Sequence, residues 1–339
     1  MEHDRYAAQV RFGPLGAAGQ ARLVAARAVI VGLGATGGTI AELLARAGVG
    51  HLTLVDRDVA EVGNLHRQPL LDAEDAAVGR PKALAAVRRL GAIAPDASLT
   101  PRVADLHAAN AADLLGGHDL VVDGTDSMAT RRVLNAACLR LGVPWVHAGV
   151  IGATGIVMAV GPSGRPCWRC LHARLPGPAG AETCETAGVI GPAVAVVGGL
   201  AARLAMGLLI GEPADGHATV VDVWRGELAR FRVSAREGCP ACGSGEPETA
   251  EEEGDAIAAI LCGRQAVHLR PDQTPLDLVR LTARLAVLED VRVANASADA
   301  VSIGWRAYEV TVFADGRAIV RGTDDPAVAR TIYARLVGL

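Results

Sequence analysis

The sequence predicts an α/β fold, in which a Rossmann-like, mainly parallel sheet carries an antiparallel extension and is followed by a small α+β domain. Three observations predict it. A glycine-rich turn at residues 32–37 stands between an apolar strand pattern and a helical pattern. Two Cys-x-x-Cys pairs, at residues 167–170 and 239–242, bracket a region of short strands and turns. After residue 257 the pattern changes to short strands and two helices.

The first predicted elements form a βαβ unit. Residues 27–33 are an apolar strand entering a tight turn, residues 36–47 have helical spacing and stop at Gly48, and residues 51–56 form a second strand. Such a unit requires a parallel sheet. Further elements of this sheet layer are expected as helices at 81–90 and 130–141 and strands at 99–103, 119–123 and 145–148.

The sheet is then predicted to continue antiparallel, through strands at 154–160, 219–224 and 228–233. An apolar run at residues 189–210 is long enough to span a bilayer. Arg203 interrupts this run and glycines crowd its first half. We therefore expect a buried or subunit-interface helix rather than a membrane span.

The C-terminal part is predicted as a separate small domain. A segment rich in Gly, Pro and Glu, residues 246–256, has the composition of a linker between residues 1–245 and residues 257–339. The small domain is expected to contain strands at 266–269, 301–305, 308–313 and 318–321 and helices at 275–288 and 325–336.

Composition excludes several classes of protein. The 339 residues include 33 basic and 37 acidic ones without a basic block, which argues against a nucleic-acid partner. The polar start is not followed by an apolar leader, so a cytoplasmic protein without a membrane partner is expected. In a reducing compartment the seven cysteines are expected as thiols or metal ligands rather than disulfides.

The glycine-rich turn predicts a ribonucleotide site. Gly32, Gly34 and Gly37 follow a strand and open a helix, whose N-terminus offers free N–H groups to phosphate. Asp56 ends the next strand, where a carboxylate holds ribose hydroxyls. The turn alone does not separate NAD from ATP, and glycines needed only for packing explain the same pattern.

Three charged residues favour a triphosphate. Arg67 and Lys82 supply cations beyond the α-phosphate, although each alone is equally an ordinary surface cation. Asp126 follows a strand at the carboxyl edge of the sheet, where a carboxylate opposite phosphates suits Mg²⁺. Helix N-capping by Asp126 or Ser127 is the alternative.

The cysteine pairs predict a metal centre. Cys167, Cys170, Cys239 and Cys242 have the spacing of a four-thiolate Zn²⁺ site. Such a zinc knuckle has no open coordination position, so its role is structural rather than catalytic. A redox role for either pair is the alternative.

Together these motifs resemble the MoeB/ThiF family, the adenylyltransferases of ubiquitin-like sulfur-carrier proteins. The resemblance runs from about Tyr6 to Gly243 and rests on Gly32-Leu-Gly-Ala-Thr-Gly37, Asp56, Asn64-Leu-His-Arg-Gln68, Arg80-Pro-Lys82, Thr125-Asp126 and the cysteine pairs. It implies that ATP, with Mg²⁺, adenylates the C-terminal glycine of a carrier protein ending in Gly-Gly. It also implies Zn²⁺ in the knuckle, a homodimer, and later formation of a thiocarboxylate.

The resemblance also assigns site residues. It implies a nucleotide-binding set of Gly32, Gly34, Ala35, Thr36, Gly37, Asp56, Asp58, Asn64, Arg67, Gln68, Lys82, Thr125 and Asp126. Within this set Asp56 holds the ribose, Asn64, Arg67 and Lys82 face the phosphates, and Asp126 is the magnesium and adenylation carboxylate. In some relatives a cysteine in the loop after the first knuckle pair binds the carrier covalently; here that residue is Cys184, and a bystander role is the alternative.

The sequence departs from the family pattern at two positions. Ala8 stands where the family has an arginine donated to the neighbouring subunit's ATP, so Arg5 or Arg11 is expected to substitute or the reaction to be slower. Ser127 replaces the family's asparagine after Thr-Asp. The tail lacks a cysteine active-site loop, so the sulfur is expected from a separate donor, a cysteine desulfurase or a rhodanese.

Three other functions stay open at this stage. An NAD-dependent oxidoreductase explains the glycine turn and Asp56, but not the charged residues and the knuckle together. A catalytically impaired, zinc-stabilised scaffold is favoured by Ala8. A tRNA-modifying dehydratase of the same family is disfavoured by the lack of a basic face. The pathway that uses the carrier, whether molybdopterin, thiamine or another, is not indicated.

Overall fold

The structure, a computed structural model, describes residues 5–173, 187–243, 258–261, 265–270 and 275–338, with only the backbone of 258–261. The chain divides into two compact units, and the smaller begins its main segment at Asp255. The predicted linker at residues 246–256 lies outside the described residues, so its character stays a prediction.

Up to residue 232 the chain builds one eight-stranded sheet and its helices. In chain order the elements are α1 (Ala7–Val10), α2 (Gly16–Ala25), β1 (Arg27–Val31), α3 (Ala35–Ala47), β2 (His51–Asp56), a 3-10 turn (Val62–Asn64), α4 (Ala73–Val78), α5 (Lys82–Ile93), β3 (Ser98–Val103), α6 (Ala111–Leu115), β4 (Leu120–Asp123), α7 (Met128–Leu141), β5 (Trp145–Ile151), β6 (Thr154–Val160), α8 (Trp168–Leu171), α9 (Gly191–Ile210), β7 (His217–Asp222) and β8 (Glu227–Arg232).

The sheet has the strand order β3-β2-β1-β4-β5-β6-β7-β8. Its first five strands pair in parallel and its last three antiparallel, which confirms the predicted sheet with its extension. The chain leaves β1 towards β2 and β3, then returns to β4 on the other side of β1. Crossovers therefore diverge at the carboxyl ends of β1 and β4, which opens a crevice where α/β sheets bind ligands.

The long apolar segment forms α9, which packs against α2, α3, β5 and β6. Its small residues Ala193, Ala201 and Ala205 are buried in the main core of the unit. A Cβ on Gly198 would lie 2.5 Å from Thr39 Cγ2 of α3, so the two helices approach closely because this position lacks a side chain. The prediction of a packed helix is confirmed for this face. Among the described helices α9 alone has the length and composition of a membrane span.

In its described residues the smaller unit is a six-stranded antiparallel sheet with two helices, as the predicted α+β class requires. Its elements are β9 (Ala258–Leu261), β10 (Ala266–Leu269), α10 (Leu278–Leu285), β11 (Val291–Ala296), β12 (Ala300–Trp305), β13 (Tyr308–Phe313), β14 (Ala318–Arg321) and α11 (Pro326–Val337). The strand order is β11-β12-β13-β14-β10-β9. Both helices begin at an aspartate cap: Asp277 accepts from the N–H of Arg280, and Asp325 from that of Ala327.

The structure corrects several predicted boundaries. The helix expected at 275–288 is limited to Leu278–Leu285, because Asp277 caps its start and the chain turns after Ala286. The strand expected at 219–224 is β7 at His217–Asp222, since residues 223–226 form the turn into β8. The sequence reasoning missed β9, β11 and the short helices α1, α2, α4, α6 and α8. β11 is an edge strand with alternate residues exposed, so its apolar signal is weak.

Candidate functional site

Three glycines bring the ends of β1 and β4 into contact at the crevice. Gly32 has a φ of +83°, and a Cβ there would lie 2.8 Å from the carbonyl carbon of Gly124. A Cβ on Gly37 would lie 1.8 Å from the carbonyl oxygen of Gly32. Close packing of backbone against backbone therefore requires Gly32 and Gly37. Their contact with a nucleotide stays a prediction.

Gly34 is different, because packing does not explain it. A Cβ there would meet only Gln68 Nε2, at 3.7 Å, which is an ordinary contact. Gly34 is the N-cap of α3, so it borders the free N–H groups of the first helical turn. Gln68 is buried, and no described atom bonds its Oε1. An open position and an unpaired buried acceptor fit a bound nucleotide at this point.

Asp56 ends β2 beside this turn and is 7% exposed. Its Oδ2 accepts a hydrogen bond from the Leu33 N–H at 2.6 Å, and its Oδ1 accepts from the Asp58 N–H at 2.7 Å. Burial raises the pKa of Asp56 above its ordinary value, although Lys82 opposes this effect. The carboxylate is thus fixed in place while each oxygen keeps acceptor capacity for a ribose hydroxyl.

Lys82 opens α5 and lies next to Asp58. Its Nζ is 3.3 Å from Asp58 Oδ2, its backbone N–H donates to the Asp58 carbonyl oxygen, and the residue is only 3% exposed. A buried cation at a helix start, at the edge of the crevice, fits the predicted phosphate contact. Asp58 holds the lysine head in place.

Arg57 is a cation of the site that the sequence reasoning missed. Its Nη1 lies 3.4 Å from Asp105 and its Nε lies 3.9 Å from Asp58. Burial lowers the pKa of Arg57, but Asp105, Asp58 and Asp126 together raise it above the ordinary value. The sequence signal that could have identified Arg57 is its position directly after Asp56, at the carboxyl end of a strand.

Asn64 and Arg67 lie on the turn after β2. The Asn64 side chain is buried and its Oδ1 accepts from the Glu61 N–H at 3.2 Å, so the side chain closes its own turn. Its side-chain NH₂ is the part left to face a phosphate. Arg67 donates from Nη1 to the Gly63 carbonyl oxygen at 2.7 Å. Contact of Asn64 and Arg67 with phosphates therefore stays a prediction.

The end of β4 presents Asp126 to solvent. Ser127 is the N-cap of α7 and accepts from the Thr130 N–H at 3.2 Å, so the capping alternative belongs to Ser127. Asp126 is exposed. Thr125, the residue before it, donates from its N–H and its hydroxyl to Asp123 Oδ1, at 2.9 Å and 2.7 Å. Asp126 is thus available for Mg²⁺ or substrate.

Behind Asp126 lies a buried polar network that the sequence reasoning also missed. Asp123 Oδ2 accepts from His147 Nδ1 at 2.7 Å and from Arg131 Nε at 3.1 Å. Burial raises the pKa of Asp123, but Arg131, His147 and Thr125 lower it overall. Burial lowers the pKa of His147, and the hydrogen bond to Asp123 only partly opposes this. At neutral pH the network is a carboxylate bound by a neutral imidazole and a guanidinium.

The four predicted zinc ligands come together. The Sγ atoms of Cys167, Cys170, Cys239 and Cys242 all lie within 4.8 Å of one another, with pair distances of 3.9, 3.6 and 3.5 Å. Tetrahedral coordination with Zn–S bonds of about 2.3 Å requires S···S distances of about 3.8 Å. The cluster therefore fits a tetrahedral four-thiolate ion.

This arrangement has known counterparts. The ThiF family matches residues 6–241. The chain belongs to the ThiF family.

Individual relatives of this ThiF-family chain differ in how much of it they match. The sulfur carrier protein ThiS adenylyltransferase of Bacillus subtilis (strain 168) is 38% identical over 341 residues, 98% of this chain and 99% of that protein. The molybdopterin-synthase adenylyltransferase of Escherichia coli (strain K12) is 40% identical over 246 residues, 72% of this chain and 97% of that protein.

Solved structures share the fold of this ThiF-family chain. A crystal structure of E. coli MccB with MccA-N7isoASN has a TM-score of 0.62 at 20% identity, covering 72% of this chain and 75% of that chain. At this level of identity the likeness concerns the fold.

The N-terminal residues of this ThiF-family chain show whether Arg5 is free to substitute for the arginine that the family has at the position of Ala8. Arg5 donates to the Ile93 carbonyl oxygen, and its Nη1 lies 3.7 Å from Asp96. Arg5 is therefore engaged within its own chain, which leaves Arg11 as the other predicted substitute for an arginine at Ala8. Cys184 and Cys262 lie outside the described residues, whereas Cys138 is a buried free thiol.

Proposed function

We propose that this chain uses ATP to adenylate the C-terminal glycine carboxylate of a ubiquitin-like sulfur-carrier protein, preparing it for thiocarboxylate formation. The observation that carries the proposal is the crevice at the β1–β4 switch point. The position at Gly34 is open there, the buried cation Lys82 pairs with Asp58, and Arg57 interacts electrostatically with both Asp58 and the exposed Asp126. Relatives matched over most of this chain are named adenylyltransferases. None of the relatives named above is an oxidoreductase, so the NAD alternative has no support.

The chemistry needs positioning and charge neutralisation rather than a protein nucleophile. The carrier's carboxylate oxygen attacks the α-phosphorus of ATP, the bond to the β-phosphate oxygen breaks, and pyrophosphate leaves with its electrons. Lys82, and Arg67 once it turns from the Gly63 carbonyl, supply positive charge to the phosphates. Asp56 holds the ribose, and the N–H groups after Gly34 face the phosphates.

Two metal ions complete the proposal. Residues around the crevice fit Mg²⁺, which Asp126 would hold and which would neutralise phosphate charge during transfer. The four cysteines fit Zn²⁺, whose closed coordination leaves it a folding role. We include both in the functional protein, together with a homodimer, a separate sulfur donor and a cytoplasmic location.

We further propose a ThiS-type carrier. The B. subtilis relative named for ThiS matches the chain along its whole length, including the C-terminal unit. The E. coli relative named for molybdopterin synthase aligns with 72% of this chain. A molybdopterin-type carrier is the second candidate, favoured by the 40% identity of that relative.

Carrier-dependent ATP–pyrophosphate exchange tests this proposal. The chain is expected to exchange label between pyrophosphate and ATP only when a carrier with an intact Gly-Gly end is present. Parallel reactions with a ThiS-type and a molybdopterin-type carrier separate the two candidates by their values of kcat/KM. Exchange without any carrier, or no exchange with either carrier at high enzyme concentration, would contradict the proposal.

A further inference from the structure

We infer that His147 is a positioning residue for Asp126, acting through Asp123 and Thr125, and that it joins the adenylation site to the cysteine cluster. The inference rests on the proposed function, in which Asp126 is the carboxylate at the reacting phosphate. His147 itself is 1% exposed and does not reach the crevice. Its effect therefore has to pass through the residues that it bonds.

The first step of the argument is the register of the sheet. β4 and β5 pair in parallel, and Asp123 stands opposite His147. The imidazole donates from Nδ1 to Asp123 Oδ2 at 2.7 Å across this pair. Asp123 is wholly buried, so each donor that it loses leaves a buried charge less well compensated.

The second step is the hold on Thr125. Asp123 binds the N–H and the hydroxyl of Thr125 through its other oxygen. Arg131 bonds the carbonyl oxygen of Thr125 while its Nε holds Asp123 Oδ2. Every polar group of Thr125 is thereby tied to the Asp123–Arg131 pair. Asp126 follows directly, so its backbone continues from a residue whose N–H, hydroxyl and carbonyl oxygen are all hydrogen-bonded.

The third step links this network to the cysteine cluster. The Trp168 ring lies with its centroid 6.0 Å from that of His147, in an edge-on arrangement. Trp168 lies between Cys167 and Cys170, and its backbone N–H donates to Asn135 Oδ1 of α7 at 3.1 Å. The same knuckle residue thus packs against His147 and anchors α7, the helix that begins after Asp126.

Two variants of His147 separate hydrogen bonding from bulk. His147→Phe keeps a ring of similar size and removes the donor, whereas His147→Asn places an amide nitrogen as many bonds from Cβ as Nδ1 is. His118→Phe is the matched control, because His118, which precedes β4, also makes a 2.8 Å bond, to Thr53 of β2, but has no link to Asp126. Should His147→Phe not fold, His147→Leu, which also lacks a donor, replaces it.

Amide hydrogen exchange of residues 124–127 is the first readout, because it depends on no substrate. His147→Phe is expected to speed exchange at the Thr125 amide about tenfold, while His147→Asn and His118→Phe stay close to the wild type. Unchanged exchange in His147→Phe would overturn the inference. The amide exchange measurement does not depend on carrier-dependent activity of the wild type. It therefore tests the role of His147 separately from the proposed function.

A double-mutant cycle is the second readout. In ATP–pyrophosphate exchange, His147→Phe is expected to lower kcat about tenfold with little change in KM for ATP, and His147→Asn to restore it. In an Asp126→Asn background, His147→Phe is expected to have no further effect, because its influence passes through Asp126. Equal losses in both backgrounds would overturn the inference, since they would indicate a general loss of structure.

Discussion

Replacing Gly34 with alanine is expected to weaken ATP binding without unfolding the protein. Gly34 is the N-cap of α3, and a Cβ there meets only Gln68 Nε2, at 3.7 Å. A glycine-to-alanine change at an N-cap lowers the free energy of unfolding by about 1 kcal/mol or less. The fold therefore tolerates the methyl group, which instead occupies space at the first N–H groups of α3.

The expected loss of affinity follows from the phosphate contacts. A hydrogen bond from a backbone N–H to a charged phosphate contributes about 1.5–3 kcal/mol. If the methyl group displaces the phosphate from one such N–H, KM for ATP rises about 10- to 150-fold. KM for the carrier is expected to change little, because the proposed reaction brings the carrier's carboxylate to the α-phosphorus of ATP rather than to the start of α3.

Gly37→Ala is the matched control, since it makes the same change three residues further along. Its Cβ would lie 1.8 Å from the Gly32 carbonyl oxygen, so it is expected to lower Tm sharply. Steady-state exchange kinetics at varied ATP, together with thermal unfolding, measure both effects. A Gly34→Ala variant with wild-type KM for ATP would refute the placement of the phosphates. One that unfolds as readily as Gly37→Ala would refute the account of Gly34 as open space.

Three further predictions concern charge, metal and pH. Lys82→Ala is expected to lower carrier-dependent exchange about 100-fold while circular dichroism stays unchanged; a rate within threefold of the wild type would contradict a phosphate role. Cys239→Ser is expected to remove bound zinc and lower Tm, as measured by metal analysis and calorimetry; retained zinc would contradict the four-thiolate site. In the folded chain the pKa values of Asp123 and His147 both lie below their ordinary values. The unfolded chain therefore binds more protons at low pH, so the free energy of unfolding is expected to fall as the pH drops below about 6.5. Urea unfolding at about pH 7 and about pH 5 is expected to show a smaller fall for His147→Asn, and an equal fall would contradict the assignment to His147.

Local patterns predicted the first βαβ unit of the fold well. The stretch from Arg27 to Asp56 contains local signals for each of its elements. These are apolar strands, a helical spacing that ends at Gly48, and glycines where backbones meet. Gly48 indeed ends α3 in the left-handed conformation, with a φ of +87°. The metal site was predicted equally well, because the spacing of the cysteine pairs indicates such a site without knowledge of the fold.

Features that depend on the register between strands could not be predicted from the sequence. Asp123 and His147 meet only because β4 and β5 pair in parallel with these residues opposite each other. Nothing within either strand's own sequence shows this pairing. Arg57 was missed for a related reason, since its partner Asp105 comes from the segment after β3, 48 positions along the chain. The edge strand β11 was not predicted, because half of its residues are exposed and its apolar pattern is therefore weak.

The most direct test of the central claim is ATP–pyrophosphate exchange with a carrier protein and with the same carrier lacking its last glycine. The proposed adenylation requires that terminal carboxylate at the reacting phosphate. Exchange with the intact carrier and none with the shortened one is the expected result. Equal exchange with both carriers, or none with either, would contradict the claim that this chain activates a carrier's C-terminal glycine.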